Sequence, residues 1–340
     1  MAAQQFLKTR KGCHVTHRFD TWALVLAGGD GSRLHRLTRN GQGVVVPKQF
    51  CSLRGGASLV QDTVQRAAAV APLQRVCAVV AEQHRGWWTP MLSSLPEENI
   101  IVQPLNRGTA YGILLPLLRI AQRDPDATVV LLPADHYLRD EQIMAKSLRQ
   151  VAEFAKSDRE SIYLLGVEPD EPDTELGYIL PASRSSDQVV GVLRFIEKPS
   201  EIGARLLLDQ GALWNAFIMA ASAGALLSLF DDTFAPTIAA MRGFEDINLE
   251  AVYQPLSSLD FSSDVLQGKE SMLKVLAVPH CGWTDLGTPK RIGLALERLH
   301  DPVGRPAGPG RADLPTPVNL ADQFASLRLR QATGSSISPI

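Results

Sequence analysis

Five short apolar runs, separated by amphipathic segments, constrain this chain more than any other feature. WALVLA (22–27), RVCAVVA (75–81), NIIVQ (99–103), TVVLLP (128–133) and IYLLGV (162–167) are almost continuously apolar, and most carry β-branched residues. A strand with one wet face alternates polar and apolar residues, whereas one covered on both faces does not. Between these runs, segments 58–70, 109–123 and 141–156 carry apolar residues at helical spacing. Strand–helix alternation predicts an α/β fold, a Rossmann-like and mostly parallel sheet flanked by helices on both sides. Ligands of such sheets bind beyond the carboxyl ends of the strands, so functional residues are expected there.

After about residue 170 the pattern changes. GYIL (177–180), VVGVLRFIEK (189–198), LWNAFIMA (213–220) and LKVLAVP (273–279) predict further strands, some antiparallel, that extend the same sheet. One domain is expected over residues 21–300. Residues 1–20 read as a polar leader, within which Cys13, His14 and His17 lack a fourth ligand for a metal. Residues 301–340 read as a Pro/Gly-rich tail, opening on DPVGRPAGPG and closing on a disordered TGSSISPI, with an amphipathic patch at 319–329 suited to a docked helix.

Composition excludes several classes. With 34 basic and 36 acidic residues among 340, the chain carries no excess charge for a polyanion, and no nucleic-acid partner is expected. No run approaches the roughly 20 apolar residues of a membrane helix, and the leader lacks the apolar core of a signal peptide. Four scattered cysteines fit a reducing compartment. A soluble, cytoplasmic protein without a membrane partner is expected; a homo-oligomer is allowed, but no motif requires one.

The strand ends carry the chemistry. Strand 22–27 runs into Ala27-Gly28-Gly29-Asp30-Gly31-Ser32-Arg33, where three glycines let backbone N–H groups approach an anion and Arg33 offers a planar charge. The same residues would also make an ordinary tight turn with a surface arginine. Leu34 stands where a dinucleotide-binding loop needs its third glycine, and no Gly-Lys-Ser/Thr closes the loop as in nucleoside triphosphatases. Strand 99–103 leads into Gln103-Pro104-Leu105-Asn106-Arg107-Gly108-Thr109, the capped start of a helix whose amino end favours an anion or a polar base edge. Strand 128–133 leads into Ala134-Asp135-His136; an aspartate there is either a helix cap or a magnesium ligand, and His136 reads as packing or a hydrogen-bond partner. Asp170, Glu171, Asp173 and Glu175 read as a solvated acidic loop, Trp87 and Trp88 as one packed helix face, and Asp264 receives no role.

LAGGDGSRL followed by Pro47-Lys48-Gln49-Phe50 resembles the signature of sugar-1-phosphate nucleotidyltransferases, and the Pro-Lys-Gln-Phe form is similar to that of mannose-1-phosphate guanylyltransferases. The resemblance extends in order through Leu-Pro-Ala-Asp-His, Gly177-Tyr178-Ile179, Phe195-Ile196-Glu197-Lys198-Pro199, Leu213-Trp214-Asn215 and Trp283-Thr284-Asp285-Leu286-Gly287, over about 22–298. It departs at Arg36, where the family often has proline, at Gly108, where it often has asparagine, and at Glu175 and Leu176, which replace a glycine and a tyrosine. What the resemblance implies is nucleoside monophosphate transfer from a nucleoside triphosphate to a sugar 1-phosphate with release of pyrophosphate, GTP and mannose 1-phosphate being the leading pair. It implies Ala27, Gly28, Gly29, Gly31, Arg33, Gln103, Arg107, Gly108 and Thr109 around the nucleotide. It further implies Gly177, Tyr178, Glu197, Lys198 and Asn215 around the sugar phosphate, Lys48 and Arg33 as catalytic charges, and Mg2+ on Asp135 and Asp285. Another base or hexose, or a non-catalytic homologue that binds a sugar nucleotide, are the alternatives. Nothing after residue 300 resembles the isomerase or hexapeptide-repeat domains of other family forms, so a form with the one activity is expected.

Overall fold

The computed structural model describes residues 21–183, 188–230, 232–242, 248–299 and 317–332. The leader with Cys13, His14 and His17, residues 300–316 and the last eight residues lie outside the described residues.

Among the described residues nine strands form one sheet: β1 (Thr21–Ala27), β2 (Val76–Ala81), β3 (Ile100–Gln103), β4 (Thr128–Pro133), β5 (Ile162–Val167), β6 (Tyr178–Pro181), β7 (Val190–Ile196), β8 (Leu213–Ser222) and β9 (Leu273–Val278). Their order is β3-β2-β1-β4-β8-β5-β9-β7-β6, with β8 also pairing β6. β1 pairs in parallel with β2 and β4, placing Leu24 opposite Cys77 on one side and Leu131 on the other. β2 with β3 and β5 with β9 are parallel as well. The sequence pattern places the antiparallel strands as an extension, but β8 inserts between β4 and β5 and runs against both. Chain order reverses at β1 and β4, which leaves a crevice beyond their carboxyl ends.

The described residues also form ten helices: α1 (Leu59–Ala67), α2 (Arg85–Met91), α3 (Thr109–Arg123), α4 (Glu141–Ser157), α5 (Glu201–Asp209), α6 (Ala223–Ser228), α7 (Ala235–Arg242), α8 (Leu249–Tyr253), α9 (Pro289–Leu299) and α10 (Leu320–Ala332). Local chemistry sets their starts. Ser58 and Gln61 form a capping box at α1, and Asp140 accepts from the Gln142 and Ile143 N–H groups at α4. In α4, Met144, Leu148, Val151, Ala152 and Ala155 form one buried stripe.

Alternate residues of β1 divide the core. Ala23 and Val25 belong to a core shared with α1, α2, α4, α5 and α9, while Trp22 and Leu24 belong to one shared with α3, α6, α7 and α8. The interiors of β1, β2, β4 and β5 are therefore buried on both faces, which is why these runs are apolar throughout. Trp88 is buried and Trp87 half-buried against the first of these cores.

The body does not stop at residue 300. Val318 and Leu320 exchange backbone hydrogen bonds with Ser52, and Phe324 of α10 packs so closely on Gly293 of α9 that a Cβ there would lie 2.7 Å from its ring. Among the described residues no helix is long and apolar enough to cross a membrane. Cys51, Cys77 and Cys281 are free and buried, with thiols pushed up to about 12, 12 and 11 by burial.

Candidate active site

Beyond the carboxyl ends of β1 and β4 lies a cavity of about 470 Å³, and most of the residues singled out in the sequence line it. Gly28, Gly29 and Gly31 form one wall. Gly31 has φ +62°, and a Cβ on it would come 3.2 Å from the Lys48 backbone nitrogen, so this loop and the Pro-Lys-Gln-Phe segment can approach only through glycine. Gln49, buried next to Lys48, donates to the carbonyl oxygens of Ala27 and Gly29 at 2.9 and 2.8 Å and thereby fixes the loop. Ala27 itself is buried and does not line the cavity; its carbonyl serves that bond.

Lys48 is the centre of the charged cluster. Its side chain is 7% exposed; Nζ lies 2.9 Å from Asp135 Oδ2 and donates to the Asp285 carbonyl oxygen at 2.6 Å. Two residues distant in sequence thus meet on one ammonium. The backbone enforces this meeting, because Tyr137 and Thr284 exchange both N–H···O bonds at 2.9 Å, an isolated antiparallel bridge. Burial opposes the Asp135 charge, yet Lys48 and His136 outweigh it and hold the carboxyl below its usual range. Its side chain remains 39% exposed, open to a ligand.

His136 is a packed neighbour. Trp283 Nε1 donates to His136 Nδ1 at 3.2 Å, which assigns the ring proton to Nε2, 3.7 Å from Asp135 Oδ1. Burial pushes the imidazole down to about 4, against the pull of Asp135 and Asp285.

At the other end of the cavity, Gly177, Glu197 and Asn215 converge. A Cβ on Gly177 would lie 2.5 Å from Glu197 Oε2 and 3.3 Å from Asn215 Cβ. Asn215 N donates to the Gly177 carbonyl at 2.8 Å. Burial raises the Glu197 carboxyl, and Asp260 adds to the rise while Lys198 opposes it. On a regular strand Glu197 and Lys198 would face opposite ways. Lys198 instead has φ +46°, and its Nζ returns to 3.4 Å from Glu197 Oε1 at the rim. Phe217 (φ +54°) and Leu286 (φ +50°) are the other non-glycine residues with positive φ among those described. All three follow within two residues of Glu197, Asn215 or Asp285. Strained backbone therefore gathers at the site, as it does where side chains are held for a task.

Some assignments change. Tyr178 is fully buried and does not line the cavity; its hydroxyl accepts the Asp173 N–H at 2.8 Å. Arg107 spends its guanidinium on the carbonyls of Tyr253 and Gln254 and is likewise not in the lining. Arg33 is not in the lining itself but pairs at 2.6 Å with Glu175, which is. The acidic loop is not freely solvated, since Asp170, Glu171, Asp173 and Glu175 pair with Arg298, Lys290, Arg291 and Arg33.

Gln103 and Thr109 line the cavity. Gln103 donates to the Tyr253 hydroxyl at 3.2 Å, and its Oε1 would lie 2.9 Å from a Cβ on Gly28. Segment 258–262 receives no role from the sequence, although Phe261-Ser262-Ser263-Asp264 lies where the resembled family has an acidic segment. Ser258, Leu259, Asp260 and Ser262 nevertheless line the cavity; Leu259 pairs its backbone with Arg107 and Ala110, and Asp260 meets Thr109 Oγ1 at 3.3 Å. Among the described residues no three His, Cys, Asp or Glu side chains are grouped to hold a metal. Asp135 and Asp285 supply two carboxylates, a donor set suited to a hard cation that completes its shell with phosphate and water.

The chain belongs to the nucleotidyl transferase family, whose model matches residues 22–301. Within that class it is similar to mannose-1-phosphate guanylyltransferase ManC of Salmonella typhimurium, with 31% identity over 287 residues, 78% of this chain and 58% of that protein. The alginate biosynthesis protein AlgA of Pseudomonas syringae pv. tomato is 27% identical over 281 residues, 78% of this chain and 56% of the relative. The crystal structure of a protein described as mannose-1-phosphate geranyltransferase from Thermus thermophilus superposes with TM-score 0.67 at 26% identity, over 83% of this chain and 79% of that one. The chain spans a little over half the length of these curated relatives.

Proposed function

We propose that this chain transfers the guanylyl group of GTP to mannose 1-phosphate, forming GDP-mannose and releasing pyrophosphate. The observation that carries this reading is the convergence of Lys48, Asp135 and the 285 backbone beside the glycine loop. The family, and relatives named for mannose-1-phosphate guanylyl transfer, support the choice of substrates.

An oxygen of the sugar phosphate attacks the α-phosphorus in line, a new P–O bond forms, and the bond to the β-phosphate oxygen breaks. The incoming phosphate is already ionised, so no protein nucleophile is required. Catalysis then rests on positioning and on charge placed where it develops. Backbone N–H groups of the glycine loop bind the triphosphate, with Arg33 adding charge. Lys48 neutralises charge near the α-phosphate, while Glu197 and Asn215 bind sugar hydroxyls and Lys198 meets the sugar phosphate. Asp135 and Asp285 would hold magnesium, which supplies charge neutralisation on the reacting phosphates. The test is pyrophosphate release by purified protein with magnesium, each nucleoside triphosphate being paired with each of several sugar 1-phosphates. GTP with mannose 1-phosphate should be fastest; no release with any pair would leave a binding protein and remove the catalytic reading.

A further inference from the structure

Arg291 occupies a position that helix electrostatics disfavour. It is the third residue of α9, whose first turn carries Lys290 and Arg291 and no acidic residue, although the amino end of a helix repels cations. Something other than helix stability accounts for a buried arginine there. Its guanidinium, with a side chain 12% exposed, is shared between Asp285 Oδ1 and Asp173 Oδ2, the latter at 2.7 Å; both carboxylates are 15% exposed.

The surrounding backbone is shaped to this pair. Leu286 takes φ +50° and its N–H donates to Thr284 Oγ1 at 3.2 Å, which folds the 285 side chain back toward α9. Gly287 has no room for a side chain, because a Cβ would collide with Asp285 Oδ2 and stand 3.1 Å from Arg291 Nη1. The neighbouring pairs from α9 to the acidic loop, Arg298–Asp170 and Lys290–Glu171, are exposed and suffice as surface staples. Of these three basic residues only Arg291 pairs with Asp285, a residue that lines the cavity together with Asp135.

We infer that Arg291 is a positioning residue: by gripping Asp285 through Oδ1 and anchoring on Asp173, it presets the Asp285 carboxylate for the divalent cation of the reaction. Two carboxylates share one guanidinium, so the trio keeps a net negative charge, and the ion pair to Arg291 engages Oδ1 of Asp285 rather than Oδ2. Partners that orient metal-ligating groups commonly govern metal affinity by roughly 10–100-fold. This inference rests on the proposed metal-assisted nucleotidyl transfer.

The experiment compares GTP affinity by titration calorimetry with Mg2+ and with EDTA, in the absence of sugar phosphate so that nothing turns over. The ratio is the metal-dependent gain, and the electron paramagnetic resonance of Mn2+ in the same complex reports its ligand field. Arg291→Gln should lose about tenfold of the gain and alter the Mn2+ spectrum, with GTP affinity in EDTA unchanged. Arg298→Gln, which breaks a staple without touching Asp285, should keep the full gain. If Arg291→Gln does not fold, Arg291→Lys keeps the charge without the two-pronged grip and should still lose part of the gain. A folded Arg291 variant with a wild-type or larger gain would make this residue a mere staple or a competitor of the cation, and overturn the inference. An unchanged gain in Asp285→Asn would instead remove the metal assignment itself, and the role of Arg291 with it.

Discussion

At the scale of single residues, the site is a set of charges whose environments have been tuned in different directions. Asp135 is held ionised beside Lys48, Glu197 is pushed toward its neutral form, and His136 is kept uncharged between Trp283 and Asp135. The histidine makes stability depend on pH. Its value falls from 6.5 unfolded to about 4 folded, so between these limits the unfolded chain binds more protons. Stability from this group is full above about pH 6.5 and is lost as pH falls toward 4, with a slope of up to about 1.4 kcal/mol per pH unit. Urea unfolding from pH 7 to 4 should show that slope, and His136→Gln should flatten it. The sequence made Asp135, Asp285, Lys48 and the glycines visible because motif order is local. It could not give side-chain direction. Tyr178 sits in a matching motif yet turns into the core, Arg107 turns onto the 253–254 backbone, and Gln49 stood in view without its role as anchor of the glycine loop.

Among elements, the decisive features are the joints between strand ends. The first strands and helices α1, α3 and α4 were legible because burial on both faces leaves unbroken apolar runs and helical spacing marks a helix, whereas α5 to α9 were not read. The insertion of β8 between β4 and β5 was not, since no local pattern records which strand a distant one will pair with. Segment 258–262 received no role because it is short and mostly irregular, and the pairing of the acidic loop with α9 was silent because its partners lie far along the chain. The joint at α3 offers a test. Gly108 has φ +86° and ψ 175°, a region essentially confined to glycine, and a Cβ there would collide with the Leu259 carbonyl. Gly108→Ala should cost about 1–3 kcal/mol, read as a lower urea midpoint, and should weaken nucleotide binding by displacing segment 258–262.

For the whole molecule, the carboxyl-terminal helix closes the same core that supports the site. Leu320 is fully buried, and residues 318–320 pair with Ser52, just beyond the Pro-Lys-Gln-Phe segment. Leu320→Ala should destabilise the protein by about 2–5 kcal/mol, visible as a lower melting temperature, whereas a mutation in a loosely attached tail would change nothing. Docking of this helix was foreshadowed by its amphipathic patch, but where it lands, with Phe324 on Gly293 and residues 318–320 on Ser52, is visible only in the structure. The proposed chemistry depends on Asp135 working as an ionised ligand beside Lys48 and opposite residue 285. The most direct measurement is therefore the magnesium-dependent rate of pyrophosphate release from GTP and mannose 1-phosphate by Asp135→Asn, against the unmodified protein. A loss of ~10²-fold or more with an unchanged circular dichroism spectrum is the predicted result, and near-normal turnover in a folded variant would contradict it.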